Sequence, residues 1–237
     1  MELYAIKYGE NYMYGTKGLI FRGAENPQEP YDGFCFMYYL AIYKGKRMLF
    51  DTGFRNESQA RSSGITLFDI EDEIKMTVGD IYDADMIFIT HSHFDHIDNI
   101  DLFKNPKIII SEPEYNIAME KSPEAVKLKL KNSDVIKVKD EYLYDDMFRF
   151  KVIGGHSTGS SVIYFNRGDK DYVLTGDECY SPDNILNNIP GGYANDCDRN
   201  EAFINDTYMK KIIPLTFHDS KVLLSYKLIS EHIARII

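Results

Sequence analysis

Cysteine is scarce in this 237-residue chain, with three residues at Cys35, Cys179 and Cys197. An odd number without paired metal-type spacing argues against a disulfide framework or a zinc-ribbon scaffold. It fits a reducing compartment, so the cytoplasm is the expected location. No apolar run approaches the ~18 residues of a membrane span, and no membrane partner is expected. Residues 1–8 lack a basic segment leading into an apolar stretch, so they are read as folded chain and not as a signal peptide. Positive charge is also in deficit: 27 Lys and Arg face 37 Asp and Glu, a net charge of −10. DNA or RNA binding leans on Lys and Arg to neutralise phosphates, so a nucleic-acid partner is not expected. Internal repeats and low-complexity tracts are absent. What remains is an ordinary globular composition, 44% hydrophobic and 27% charged, read as a single domain over residues 1–237.

Apolar patterning divides the chain into two styles. Residues 2–8 alternate as a strand does, and a second apolar piece follows at 18–21. A turn-rich loop with Pro27 and Pro30 covers 22–33. Residues 34–43 and 47–50 read as a hairpin around Lys44-Gly45-Lys46. An amphipathic helix is predicted over 67–78 from Leu67, Ile70, Ile74 and Val78. A strand at 86–90, a short helix at 97–103, a strand at 107–111 and a helix at 112–121, with Pro113 in its first turn, follow as βαβ grammar. From residue 135 short strands take over, at 135–138, 147–154, 160–165 and 172–175, with hairpins expected between them. Residues 181–198 read as a long loop covering a site. A helix is predicted at 201–211, an edge strand at 212–217 because of Pro214, and a closing helix at 223–236.

The most informative stretch is His91-Ser92-His93-Phe94-Asp95-His96, which places half of the chain's six histidines behind the apolar run 86–90. Rigid donors at the end of a strand suit a metal site, and neutral imidazole with carboxylate suits Zn²⁺ and similar divalent ions. Three later segments repeat the pattern of apolar run followed by turn: Gly155-His156-Ser157-Thr158-Gly159, Thr175-Gly176-Asp177 and Phe217-His218-Asp219. Taken singly, His156 and His218 read as ordinary surface or core histidines. Taken with the hexapeptide they bring the donors to seven, a count that suits two adjacent metals if one carboxylate bridges them.

In this order the motifs resemble the metallo-β-lactamase fold superfamily, and within it the N-acyl homoserine lactonase group. The likeness rests on Phe50-Asp51-Thr52-Gly53, the His-X-His-X-Asp-His hexapeptide, the segment 155–160, Gly176-Asp177 and His218-Asp219. It implies an α/β fold, an αββα four-layer sandwich. It also implies two divalent ions, zinc first with iron, manganese or cobalt as alternatives. His91, His93 and His156 would hold one ion and Asp95, His96 and His218 the other, with Asp177 bridging and Asp51 behind the site orienting a ligand. The implied reaction is attack of a metal-bridging hydroxide on a small-molecule ester or lactone. Tyr180 would hydrogen-bond the substrate carbonyl or ester oxygen, and Asp95 or the second metal would help the ring oxygen depart. Ile97-Asp98-Asn99 and Phe217 depart from the family's glycine-rich steps without removing a ligand.

Other readings stand beside this one. The same fold supports thioester, phosphodiester and other ester hydrolysis. A di-iron redox protein of this fold usually has Glu in place of His93 and an attached flavin domain, and neither is found here. A non-catalytic binding module would have no need of all seven donors. Cys179 reads as a packed thiol without a basic partner, and His232 as an exposed side chain. Tyr12, Met13, Tyr14, Phe21 and Tyr193 are candidates for an apolar substrate groove, although core packing explains most aromatics. Acyl-chain preference and oligomeric state are not legible.

Overall fold

Met86–Ile89 has no polar face, the pattern of a parallel strand covered on both sides. In the computed structural model, which describes residues 1–11 and 15–237, it lies between Lys46–Phe50 and Lys107–Ser111, parallel to both. Met86 and Phe88 face one core, while Ile87 and Ile89 face another. Side chains alternate across a strand, so one apolar run fills two layers at once.

Val135–Val138 extends this parallel group beyond Lys107–Ser111. On the other flank the hairpin of Cys35–Tyr43 and Lys46–Phe50 turns at Lys44 (φ 51°) and Gly45 (φ 76°), the paired positive angles that match the twist of a two-residue loop. Glu2–Glu10 pairs with Cys35–Tyr43, making a mixed sheet that counts nine strands among the described residues. Ile213–Leu215, Lys170–Leu174, Ser161–Arg167, Phe148–Val152 and Glu141–Tyr144 form the second sheet in that order.

An aromatic-rich core built around Phe50, Phe88, Phe148 and Phe150 fills the space between the sheets. A second core, with Ile74, Ile87, Ala118, Val126 and Leu130, joins the outer face of the large sheet to its helices. A third, with Val162, Val173, Phe203 and Ile204, joins the small sheet to Cys197–Met209. Three buried interfaces between four layers are the αββα sandwich.

Several elements differ from the sequence expectation. The strand 135–138 joins the parallel sheet and not a hairpin. The predicted helix at 67–78 starts only at Glu71, because Leu67 pairs with Gly9 in a short strand. Residues 97–103 divide between Phe94–Ile97 and a 3₁₀ turn at Ile100–Leu102. Helices Glu57–Ser62 and Glu124–Asn132 and strand Glu141–Tyr144 were not foreseen.

The largest correction lies at the carboxyl end. Instead of one helix over 223–236 there is a short helix, Ser220–Leu224, then strands Lys227–Leu228 and Ile233–Arg235. Ile233 and Ala234 are fully buried on opposite faces of the large sheet, and Ile233–Arg235 pairs with the open flank of Glu2–Glu10. Pairing that edge outweighs a local helical preference. His232 is accordingly not simply exposed: its Nδ1 meets Glu73 Oε2 at 2.8 Å and its ring packs on Phe68 at 4.5 Å. Ile233→Ala is expected to cost about 2–5 kcal/mol in denaturant unfolding, and a loss below about 1 kcal/mol would show that this strand is not docked.

Candidate functional site

The sequence-predicted site residues all follow strands or sit in the turns after them. Asp51 follows Lys46–Phe50, His91 follows Met86–Ile89 by one residue, Asp177 follows Lys170–Leu174, and His218 follows Ile213–Leu215. These are carboxyl ends of strands, where α/β sheets present their ligand sites. The two sheets are joined there by the Cys35 N–H donating to the His218 carbonyl (3.1 Å) and the Ser161 N–H donating to the Thr90 carbonyl (2.9 Å).

All seven predicted ligands converge, in two groups. One consists of His91, His93, His156 and Asp177, the other of Asp95, His96 and His218, and within each group the donor atoms lie within 4.8 Å of one another. In the first group His93 Nδ1 stands 3.0 Å from both His91 Nε2 and His156 Nε2. In the second, His96 Nε2 and His218 Nε2 are 3.3 Å apart, and Asp95 Oδ2 is 3.6 Å from each.

Asp177 lies between the groups. Its Oδ2 is 3.7 Å from His91 Nε2 and 3.5 Å from His156 Nε2, and its Oδ1 is 3.1 Å from His96 Nε2 and 3.0 Å from His218 Nε2. Yet Oδ1 is buried without a hydrogen bond. Buried polar atoms are nearly always satisfied. Close approach of imidazole nitrogens to an acceptor without hydrogen-bond geometry is what donors aimed at a common point produce. The donor set and this orphaned oxygen fit divalent cations.

Contacts behind the imidazoles support the same reading. His218 Nδ1 is 2.9 Å from the Cys35 carbonyl, which can only accept, so Nδ1 carries a proton and in the neutral ring Nε2 is the nitrogen with the lone pair. His96 Nδ1 meets Asp51 Oδ2 at 2.7 Å. Asp51 also accepts the Thr90 N–H and hydroxyl, both at 2.7 Å, so both its oxygens face donors. Asp51 thus lies directly behind His96, and its φ of 62° is a conformation Asp tolerates better than most residues. Thr90 Oγ1 stands 3.1 Å from His91 Nδ1. Gly176 (φ 49°) lets the Asp177 turn approach, since a Cβ there would lie 2.8 Å from the Thr90 side chain.

Burial, helped by the neighbouring imidazoles, pushes His91 well below the ordinary histidine range. Burial likewise takes His156 down to about 4, against the pull of Asp177. Both therefore stay neutral and able to ligate. For His96, burial acts downward but Asp177, Asp95 and Asp51 together outweigh it and raise the group. Asp177 is driven well below the carboxylate range despite its burial, chiefly by His218 and His96.

Tyr180 is buried, with its hydroxyl 3.3 Å from His156 Nδ1 and its ring 5.7 Å from that of His218. It lines a cavity of about 420 Å³ together with His93, Asp95, His156, Asp177 and His218, the apolar or aromatic Leu19, Phe34, Phe36, Ile65, Phe94 and Tyr193, and the polar Asn11, Ser62 and Ser63. Of the groove residues considered from sequence, Tyr193 does line the cavity, and its ring packs 5.5 Å from that of His156. Phe21 packs on Tyr31 instead. Tyr12, Met13 and Tyr14 lie outside the described residues. The segment 181–198 is not all loop, since it contains helix Pro182–Leu186, but it does reach the site through Tyr193. Cys179 is a buried thiol, as expected.

Sequence reasoning missed three buried carboxylates around the site. Glu178 accepts the N–H groups of Gly155 (2.8 Å) and His156 (3.0 Å), the Ser160 hydroxyl and the Asn200 amide. Asp219 accepts from the hydroxyls of Tyr31 (2.7 Å) and Ser181 (2.6 Å), tying the residue after Tyr180 to the residue after His218. Glu114 bonds to both histidine loops. Apart from the family motif that contains Asp219, no local signal marks them, because their partners are distant in sequence.

The model of the metallo-beta-lactamase superfamily matches residues 30–223. The chain belongs to that superfamily. A probable metallo-hydrolase of Methanocaldococcus jannaschii is 34% identical over 109 residues, a match spanning 46% of this chain and 43% of that protein. Among solved structures, a quorum-quenching N-acyl homoserine lactone lactonase superposes with a TM-score of 0.79 at 20% identity, covering 96% of each chain. An N-acyl homoserine lactone hydrolase with the product N-hexanoyl-L-homoserine bound at its catalytic metal centre superposes with a TM-score of 0.76 at 20% identity, covering 98% of each chain. At such identities the likeness to the solved structures establishes the fold.

Proposed function

We propose that this metallo-hydrolase opens lactones carrying an apolar acyl chain, N-acyl homoserine lactones being the model substrate. The observation that carries the reading is one cavity lined both by the apolar side chains of Leu19, Phe34, Phe36 and Ile65 and by Asp177, Asp95 and Tyr180. Solved lactonases of the same fold support it. In this reading His91, His93 and His156 would hold one divalent ion and Asp95, His96 and His218 a second, with Asp177 between the two groups. Zinc suits the nitrogen-rich donor set. Such ions, when bound, supply Lewis-acid charge and lower the pKa of water towards neutrality.

The chain's own residues do the rest. Leu19, Phe34 and Ile65 hold the acyl tail and exclude water around it. Tyr180, buried beside His156, donates its hydroxyl proton in a hydrogen bond to the oxygen on which negative charge develops. Burial, with Asp177 and Asp95 nearby, keeps this phenol well above its usual pKa, so it remains a donor at any physiological pH. Asp95, partly open to the cavity, takes up the proton that the attacking water gives up as its oxygen bonds to the carbonyl carbon, and passes it to the ring oxygen as the acyl–oxygen bond breaks.

Tyr180→Phe is expected to lower kcat on a homoserine lactone by roughly 10²–10³-fold with little change in KM, because the bond strengthens only as charge develops. Steady-state kinetics check it. A panel of lactones, thioesters and bis-p-nitrophenyl phosphate tests the substrate class, and lactone turnover no faster than phosphodiester turnover would sink the reading.

A further inference from the structure

Glu114 stands in the first turn of helix Glu112–Lys121, three residues after the N-cap Ser111. A Ser-x-x-Glu pattern ordinarily closes a capping box, with the glutamate turned back on the N-cap N–H. Here the carboxylate, only 1% exposed, points out of the helix into the site wall. Its Oε2 accepts the N–H of Ser92 (2.8 Å) and the Ser92 hydroxyl (2.6 Å). Its Oε1 accepts the Ser157 hydroxyl (2.7 Å) and the N–H of Gly159 (2.9 Å).

Ser92 lies between His91 and His93, and Ser157 follows His156. One buried carboxylate therefore joins the two loops that supply all three imidazoles of the first donor group. Gly159 makes the approach possible, since a Cβ there would sit 2.3 Å from Ser111 Oγ and 3.0 Å from the Glu114 N–H nitrogen. Among the described residues Glu114 makes no hydrogen bond to Asp95, His96 or His218, the second donor group; Asp51 and the Cys35 carbonyl hold its imidazoles.

We infer that Glu114 is a positioning residue that sets the metal affinity of the His91, His93 and His156 group by clamping its two loops at a fixed separation. The inference rests on the metal-centre reading but not on the lactone substrate. Glutamine cannot replace it. Each carboxylate oxygen accepts a backbone N–H, so either orientation of the amide sets its NH₂ against a donor that cannot turn away. Partners behind metal ligands typically contribute ~10–100-fold in affinity.

The test is Zn²⁺ binding to the metal-free full-length protein, by competition with a chromophoric chelator, in wild type and Glu114→Gln. Thermal unfolding of the same metal-free samples runs alongside. The expected result is a ~10–100-fold loss of affinity in one class of bound Zn²⁺, with the remainder unchanged. Should Glu114→Gln fail to fold, Ser157→Ala removes one of the four bonds and is expected to weaken the same class by a smaller factor. A folded variant that melts earlier yet binds every Zn²⁺ within twofold of wild type would overturn the clamp and leave a merely structural carboxylate. A wild type that takes up no Zn²⁺ would overturn the metal centre itself, and the clamp with it.

Discussion

Asp177→Asn is expected to lower hydrolytic kcat/KM by at least ~10³-fold, equivalent to about 4 kcal/mol, and to reduce bound metal per chain. The aspartate sits with one oxygen toward His91 and His156 and the other toward His96 and His218. An amide turns one of those oxygens into an NH₂ group, which is a donor and no ligand. Whichever way it turns, one donor group is left with only its remaining residues. The loss of affinity should exceed the ~10–100-fold typical of an outer partner. Elemental analysis of the purified protein, alongside kinetics, measures both quantities. His93→Ala is the companion variant, because the His93 side chain is exposed and its removal opens no core cavity. Full activity in either variant would refute the proposed assignment.

Phe148→Ala is expected to be the most destabilising single change considered, at about 3–5 kcal/mol. The ring is fully buried between the two sheets, with centroids 5.4 Å from Phe50, 5.8 Å from Tyr43, 5.9 Å from Phe165 and 6.3 Å from Phe88. Neighbours fixed in two sheets cannot collapse into the space left behind, so both the transfer and the cavity costs apply. At ~2–4 °C per kcal/mol for a chain of this size, the melting temperature should fall on the order of 10 °C. Because the large sheet carries His91 and Asp51 while the small sheet carries Asp177 and His218, activity should fall with packing, well below the melting temperature. A loss under about 1 kcal/mol in denaturant unfolding would mean that the interface repacks.

The site was more legible in sequence than the fold that holds it. His91 to His96 declare themselves because a ligand cluster behind a strand is a local pattern. Residues 107–111 and 112–121 are likewise read correctly, since a short Ile-rich run and a Pro113 in a helix's first turn act within a few residues. Residues 223–236 fail for the opposite reason. Their helical spacing is real, but Ile233 and Ala234 gain more by closing the flank of Glu2–Glu10, a partner more than 200 positions away. Leu67 fails in the same way, drawn to Gly9.

Sequence alone determined the types of donor, their order along the chain and the strand ends on which they stand, because those depend on side-chain chemistry and short-range periodicity. The division of the donors into two groups and the place of Asp51 behind the site came with the family resemblance; only the tertiary structure decided that Asp177 turns one oxygen to each group, that Asp51 bonds His96 and the Cys35 carbonyl bonds His218, and that Glu114 joins the two histidine loops. Those relations are hydrogen bonds and approaches between residues tens to nearly two hundred positions apart. They exist only once two sheets have stacked on a common aromatic core, and no local propensity encodes them.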